Sequence, residues 1–224
     1  MTTPRALDLF CCAGGASMGY HRAGFAVTGV DLHPQPHYPF EFHQADALEF
    51  VKEHGHEFDL IAASPPCHDH SDLAARAGRD GSGWLLAATR DALIATGKPY
   101  VLENVEGAPM RADITLCGSM FGLGAAGFVL ARHRLFESNM PLTAPPDRCA
   151  GHQVANVHGG GPQNYGTHHR GGRGIKLNAH DARTAMGIDW FVPRGWVNQA
   201  IPPAYTEHIG RQIITHLGAP RVRT

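Results

Sequence analysis

Four short apolar runs constrain the fold more than any other feature of this chain: Leu7–Phe10, Ala26–Val30, Phe58–Ala62 and Tyr100–Leu102. Helical stretches separate most of them. Strand-length runs that are mostly apolar need cover on both faces, and strands joined through helices pair in parallel. The pattern predicts an α/β fold, a parallel sheet flanked by helices. In such a sheet ligands bind in the crevice outside the carboxyl ends of the strands, so the residues just after each run matter most.

The third run leads into Ser64-Pro65-Pro66-Cys67-His68-Asp69-His70-Ser71. Two prolines fix a single thiol at a strand end. One reading is an ordinary Pro-rich turn with a buried cysteine, since free Cys is among the most buried residue types. The other is a nucleophile. The fourth run ends in Glu103-Asn104-Val105, which puts a carboxylate on the same rim.

The first run enters Cys11-Cys12-Ala13-Gly14-Gly15, and a helical stretch then ends near Gly24. Glycines let backbone amides approach a ligand closely, and a helix N-terminus favours an anionic group. The second run ends in Asp31, roughly 20 residues on, where α/β nucleotide-binding folds place the carboxylate that takes ribose hydroxyls. Asp31 can equally cap the turn after it. Asp46, after a loop over 33–42 rich in Pro, His and aromatics, suits the N-cap of a helix from Ala47 to His54 or a contact to an adenine amino group.

Charge divides the chain. The net charge is −1, but residues 1–131 carry 8 Lys+Arg against 15 Asp+Glu and residues 132–224 carry 11 against 5. No acid lies between Arg148 and His180, while Arg148, Arg170, Arg173 and Lys176 do. Such a segment is the electrostatic footprint expected for a phosphate backbone, and its binding should weaken with salt. The alternative is a solvated Gly-rich loop. An odd count of five cysteines without a CxxC pair, no signal-like N-terminus and no membrane-length apolar run point to a soluble, reduced, cytoplasmic protein.

The length suits one main domain. Residues 72–83, rich in glycine, are long enough to act as a lid beyond Cys67. Trp84–Ile94 has helical spacing, with Ser82 as its cap and Gly97-Lys98-Pro99 as its stop. Ala131–Glu137 alternates as a half-buried strand, with Arg132 and Arg134 on one face. The expected division is a catalytic and cofactor-binding domain over 1–138, a loop-rich appended region over 139–180, and a segment over 181–224 that returns to the first domain. Cys149 and His152 have no second ligand pair at a firm spacing, so no metal site is expected. Pro203–Leu217 reads as a helix entered through the rigid Ile201-Pro202-Pro203 turn.

In this order the segments resemble the cytosine-C5 DNA methyltransferase family. Asp8-Leu9-Phe10 with Gly14-Gly15 looks like its first motif, Asp31 and Asp46 like its next cofactor contacts, and Pro66-Cys67 like its nucleophile motif. Glu103-Asn104-Val105 matches its ENV, Arg132-x-Arg134 its QxRxR, and Ile201-Pro202-Pro203 its last motif. The sequence departs from the family at His68 and Leu130, each in place of a Gln, and at Asn198-Gln199 in place of Gly-Asn.

The resemblance implies a Rossmann-like methyltransferase fold with S-adenosylmethionine as cofactor, held by Phe10, Gly14, Gly15, Asp31, Asp46, Pro66, Asn198 and Ala200. It implies a Cys67 thiolate that attacks cytosine C6, Glu103 on N3 and the exocyclic amine, Arg134 on O2, and Arg132 ordering the site. The target cytosine must leave the duplex to be reached. His68 and Ser71 would contact the substrate beside Arg148, Arg170, Arg173 and Lys176, and the short appended region predicts a short or degenerate target. The partner so implied is double-stranded DNA, bound by a monomer. Transfer RNA is the alternative substrate, because a related branch of the family modifies it, and a catalytically silent nucleic-acid-binding paralogue is the alternative of another class.

Overall fold

A computed structural model describes residues 2–66, 84–146, 154–157, 175–190 and 192–218. In chain order the elements are β1 (Arg5–Leu9), α1 (Gly15–Ala23), β2 (Ala26–Asp31), β3 (Glu41–Gln44), α2 (Ala47–His54), β4 (Leu60–Ala63), α3 (Trp84–Ala95), β5 (Tyr100–Asn104), β6 (Ile114–Leu116), β7 (Gly124–Ala125), β8 (Phe128–Leu130) and β9 (Arg134–Ser138). They are followed by β10 (Val154–Asn156), β11 (Ile175–Lys176), α4 (Ala179–Met186), α5 (Arg194–Val197) and α6 (Pro203–Gly218).

The main sheet has seven strands in the order β3-β2-β1-β4-β5-β9-β6. The first five are parallel, and β9 runs antiparallel to both β5 and β6. The strand order reverses between β1 and β4, so the crevice at their carboxyl ends is the switch point where α/β sheets take ligands.

The apolar runs form strands because both of their faces are buried. On one side Ala6, Val27, Leu60, Ala62 and Val101 pack with Tyr20 and Phe25 and with Tyr205, Ile209 and Ile213 of α6. On the other, Leu7, Leu9, Val30, Ile61 and Leu102 meet Val51 of α2 and Leu86 and Leu93 of α3. Alternate residues of one strand thus enter opposite cores. Asp46 caps α2, accepting from the amides of Leu48 and Glu49. Helix α6 closes on α1, where the Thr206 hydroxyl donates to the Ala16 carbonyl at 2.8 Å. Arg90 of α3 grips the buried Glu137 of β9 at 2.9 Å, which ties the helix that comes after the Cys67 segment to the sheet.

Two departures from the expected strands change which residues they place. The third begins at Leu60, because Phe58 closes a 3-10 turn through its amide to the Gly55 carbonyl, and it runs on to Ala63. The expected continuous strand over Ala131–Glu137 is broken. Phe128–Leu130 belongs to a second sheet, ordered β11-β10-β8-β7, and the main-sheet strand starts only at Arg134. Residues on both sides of position 138 therefore build the second sheet, whose core joins Leu130, Ala155 and Val157 to Ala185, Met186, Val197 and Ala200.

Candidate functional site

The carboxyl ends of β1, β2, β4 and β5 form one rim. At the β1 end the backbone turns sharply: Phe10, Cys12 and Gly14 all have positive φ, at 60°, 46° and 82°. Gly14 meets that demand without strain, and Phe10 and Cys12 are held in it by the fold. The Cys11 amide donates to the Val30 carbonyl and the Cys12 amide to Asp31 Oδ2 at 3.1 Å. Both glycines also permit close packing. A Cβ on Gly14 would lie 2.9 Å from Pro39, and one on Gly15 would collide with the Ile201 carbonyl.

Asp31 performs the turn-capping role and keeps capacity for more. Its Oδ1 accepts from the His33 amide at 3.0 Å and its Oδ2 from Cys12, which leaves a lone pair on each oxygen for vicinal hydroxyls. The two capping bonds of Asp46 both go to Oδ1, so Oδ2 can accept from an exocyclic amine. No side chain caps α1, whose N-cap is Gly14. These donors and acceptors suit a nucleoside.

Acidic groups crowd this rim. Asp8 is 1% exposed, and burial pushes its carboxyl up to about 7, with Asp31 and Glu103 adding to the rise and a bond from Ser17 opposing it. Burial likewise pushes the Cys12 thiol up to about 11. A cationic ligand relieves such mutual repulsion, so the donor set also fits a positively charged cofactor.

At the β5 end Glu103 is buried, with Arg134 Nε 3.0 Å from its Oε1. Burial raises its carboxyl above the usual range, against the pull of Arg134, Arg132 and a Ser64 hydroxyl bond. The group can therefore hold a proton while a guanidinium fixes its geometry. Next to it, Asn104 Nδ2 donates to the Pro65 carbonyl at 3.0 Å, tying the end of β5 to the turn after β4. Pro66 is exposed beyond that tie.

Arg132 does not share a face with Arg134. Outside any strand and 4% exposed, it donates to the carbonyls of Val157, Asn198 and Ala200, the last two at 2.8 and 3.0 Å. Its own carbonyl accepts from the Tyr205 hydroxyl at 2.6 Å. Arg132 thus places the Asn198–Ala200 segment against the rim, where Gln199 meets Cys12 and the Trp190 indole donates to the Ala13 carbonyl at 3.2 Å.

The structure brings Phe10, Gly14, Gly15, Asp31, Pro66, Glu103, Arg134, Asn198 and Ala200 to one rim, and Asp46 caps the helix after β3. Cys67, His68, Ser71, Arg148, Arg170 and Arg173 lie outside the described residues, as do the expected lid over 72–83 and the Cys149–His152 pair. Lys176 is described as part of β11 in its backbone only. Sequence reading missed the roles of Ser64, Tyr205 and Asn104. The ENV triplet was the one available signal, and it flagged Asn104 without its partner.

Residues 5–111 match the sequence profile of the C-5 cytosine-specific DNA methylase family. The chain is 30% identical over 142 residues to the type II methyltransferase M.HgiDI of Herpetosiphon aurantiacus, covering 57% of this chain and 45% of that protein. It is 30% identical over 122 residues to M.AquIA of Picosynechococcus, covering 45% and 48%. The chain thus spans just under half the length of these two curated relatives. Among solved structures, a putative DNA modification methyltransferase encoded within an Escherichia coli prophage superposes with a TM-score of 0.63 at 15% identity, covering 97% of this chain and all of that one. DNMT2 of Spodoptera frugiperda does so with 0.61 at 11%, covering 95% and 100%. At these identities the likeness is one of fold alone, a Rossmann-like α/β fold. Among the described residues no helix is long and apolar enough to cross a membrane.

Proposed function

We propose, from the premise that this chain is a member of the C-5 cytosine-specific DNA methylase family through residues 5–111, that it is a DNA (cytosine-5-)-methyltransferase using S-adenosylmethionine. The observation that supports this most is the buried Glu103–Arg134 pair beside the Asn104-tethered turn that leads to Cys67.

The chemistry needs these groups. Cytosine C5 is a poor nucleophile. A Cys67 thiolate adds to C6, the C5=C6 electron pair moves into the ring toward N3, and C5 becomes enamine-like. Glu103, its proton affinity raised by burial, supplies a proton or strong hydrogen bond at N3, and Arg134 orients it and reaches O2. The bound cofactor supplies an electrophilic methyl on a sulfonium, in a rim where Asp31 and Asp46 suit the ribose hydroxyls and the adenine amine. Loss of the C5 proton to a base and elimination of Cys67 restore the aromatic ring and the free thiol. The thiol ordinarily ionises near ~8.5, so attack requires its local environment to favour the thiolate.

The basic stretch from Arg148 to Lys176 would hold the phosphate backbone of duplex DNA, with His68 and Ser71 near the flipped base. We read the chain as an intracellular monomer with a short target sequence. Incubation with methyl-labelled S-adenosylmethionine and either duplex DNA or transfer RNA, followed by mass spectrometry of the nucleosides, tests this. 5-Methylcytosine in the duplex supports the proposal. Label in transfer RNA alone transfers it to RNA, and no label with cofactor bound makes the chain a binding protein.

A further inference from the structure

Parallel neighbours are ordinarily joined by a crossover of a dozen or more residues, usually a helix. Here β2 and its parallel neighbour β3 are joined by residues 32–40 alone, without one. A β-turn, the Tyr38 amide to the Gln35 carbonyl at 3.0 Å with Pro36 between, doubles this loop back over the sheet. Side chains of this segment cover surface that a helix would cover, Tyr38 on the sheet with Phe40 and Phe42 against its ring. The Tyr38 ring sits on Gly29 of β2, where any Cβ would collide with its Cζ and Oη, and against Gly14, whose Cβ would lie 3.1 Å from its Cδ2. Two residues without side chains make its seat.

From that seat the Tyr38 hydroxyl lies 2.7 Å from Ser17 Oγ in the first turn of α1. With Asp8 of β1 ionised, the Ser17 hydroxyl donates to it and the phenol donates to Ser17. Burial holds that phenol well above its ordinary range, which keeps it neutral. On the adjacent residue, His37 meets Trp196 at a 60° tilt with ring centroids 5.7 Å apart, two positions before Asn198.

We propose that Tyr38 is a positioning residue for the cofactor turn, its ring bracing Gly14 and its hydroxyl fixing α1 to β1 through Ser17 and Asp8. This rests on S-adenosylmethionine being the cofactor of the proposed methyltransferase. It assigns to a loop aromatic the work that a crossover helix does in other α/β sheets.

Titration calorimetry with S-adenosylmethionine on the intact chain tests it, using the wild type, Tyr38→Phe, Ser17→Ala and the double variant, each confirmed folded by thermal melting. Tyr38→Phe keeps the ring in its seat and removes only the hydroxyl. It should weaken cofactor binding by about three- to tenfold, the effect of one hydrogen bond. Ser17→Ala should match it, and the double variant should be no weaker than Ser17→Ala, since both cut the same chain. In turnover assays KM for the cofactor should rise while kcat holds. A merely structural role would lower the melting temperature and leave Kd unchanged; that result, or additive losses in the double variant, overturns the proposal. A wild type that binds no cofactor overturns the methyltransferase function and this proposal with it, whereas wild-type binding with an indifferent Tyr38→Phe overturns this proposal alone.

Discussion

Asn104 at the end of β5 donates through Nδ2 to the carbonyl of Pro65, 3.0 Å away, and both residues are buried. One hydrogen bond thereby sets the spacing between the strand end that carries Glu103 and the turn that leads to Cys67. Asn104→Ala leaves that carbonyl buried without its donor. The loss should be about 1–3 kcal/mol in chemical denaturation. Methyl transfer should fall further than cofactor affinity, as separate kcat and Kd measurements on the folded variant would show.

Glu103 acts in its protonated form in the proposed mechanism, and burial raises its pKa. The active form is therefore present below that pKa and lost as pH rises through it. The alkaline limb of the kcat profile should carry this loss, on top of any gain from ionisation of Cys67. Glu103→Gln stays neutral at every pH, so it should remove that limb while lowering kcat by about 10²- to 10⁴-fold. A pH–rate series on both proteins checks this.

Arg132 holds together segments far apart in sequence, bonding to Val157, Asn198 and Ala200 from within the core. Arg132→Ala strips the donors from the buried carbonyls of Val157 and Ala200 and the half-buried one of Asn198, and should cost about 3 kcal/mol of stability. Tyr205→Phe, which frees only the Arg132 carbonyl, should cost about 1 kcal/mol. Denaturant titrations of the two variants give the ratio.

Asp8 has a folded pKa of about 7 against an ordinary 3.8, because burial disfavours its charge. Between those values the folded state binds a proton that the unfolded state releases, so this residue's contribution to stability is present at low pH and lost as pH rises toward 7. The slope is at most about 1.4 kcal/mol per pH unit. Asp8→Asn does not titrate. Its stability relative to wild type should grow from pH 4 to 7 and level off above, measured by denaturation at each pH.

Strands β1, β2, β4 and β5 were legible because a run buried on both faces is apolar at most positions, Asp8 and Thr28 being buried exceptions, and α2 was legible through its Asp46 cap. The β8–β9 break was not. Arg132-x-Arg134 alternates as one strand does, and only the folded chain shows the first arginine turning toward carbonyls some 66 and 68 residues away. Strands of two residues, such as β7 and β11, are too short to leave a period. The pairing of Glu103 with Arg134 came from resemblance of motifs, not from any local pattern. Tyr38 left no signal beyond an aromatic in a Pro-rich loop, since its seat on Gly14 and Gly29 exists only once β1, α1 and β2 are assembled.

Trapping on duplex DNA containing 5-fluorocytosine tests the central claim most directly, because fluorine at C5 blocks the final elimination. With S-adenosylmethionine present, the proposed mechanism predicts a covalent complex whose peptide map places the modified base on Cys67, absent in Cys67→Ala. Cofactor bound by the wild type without any such adduct, or an adduct that persists in Cys67→Ala, would contradict it.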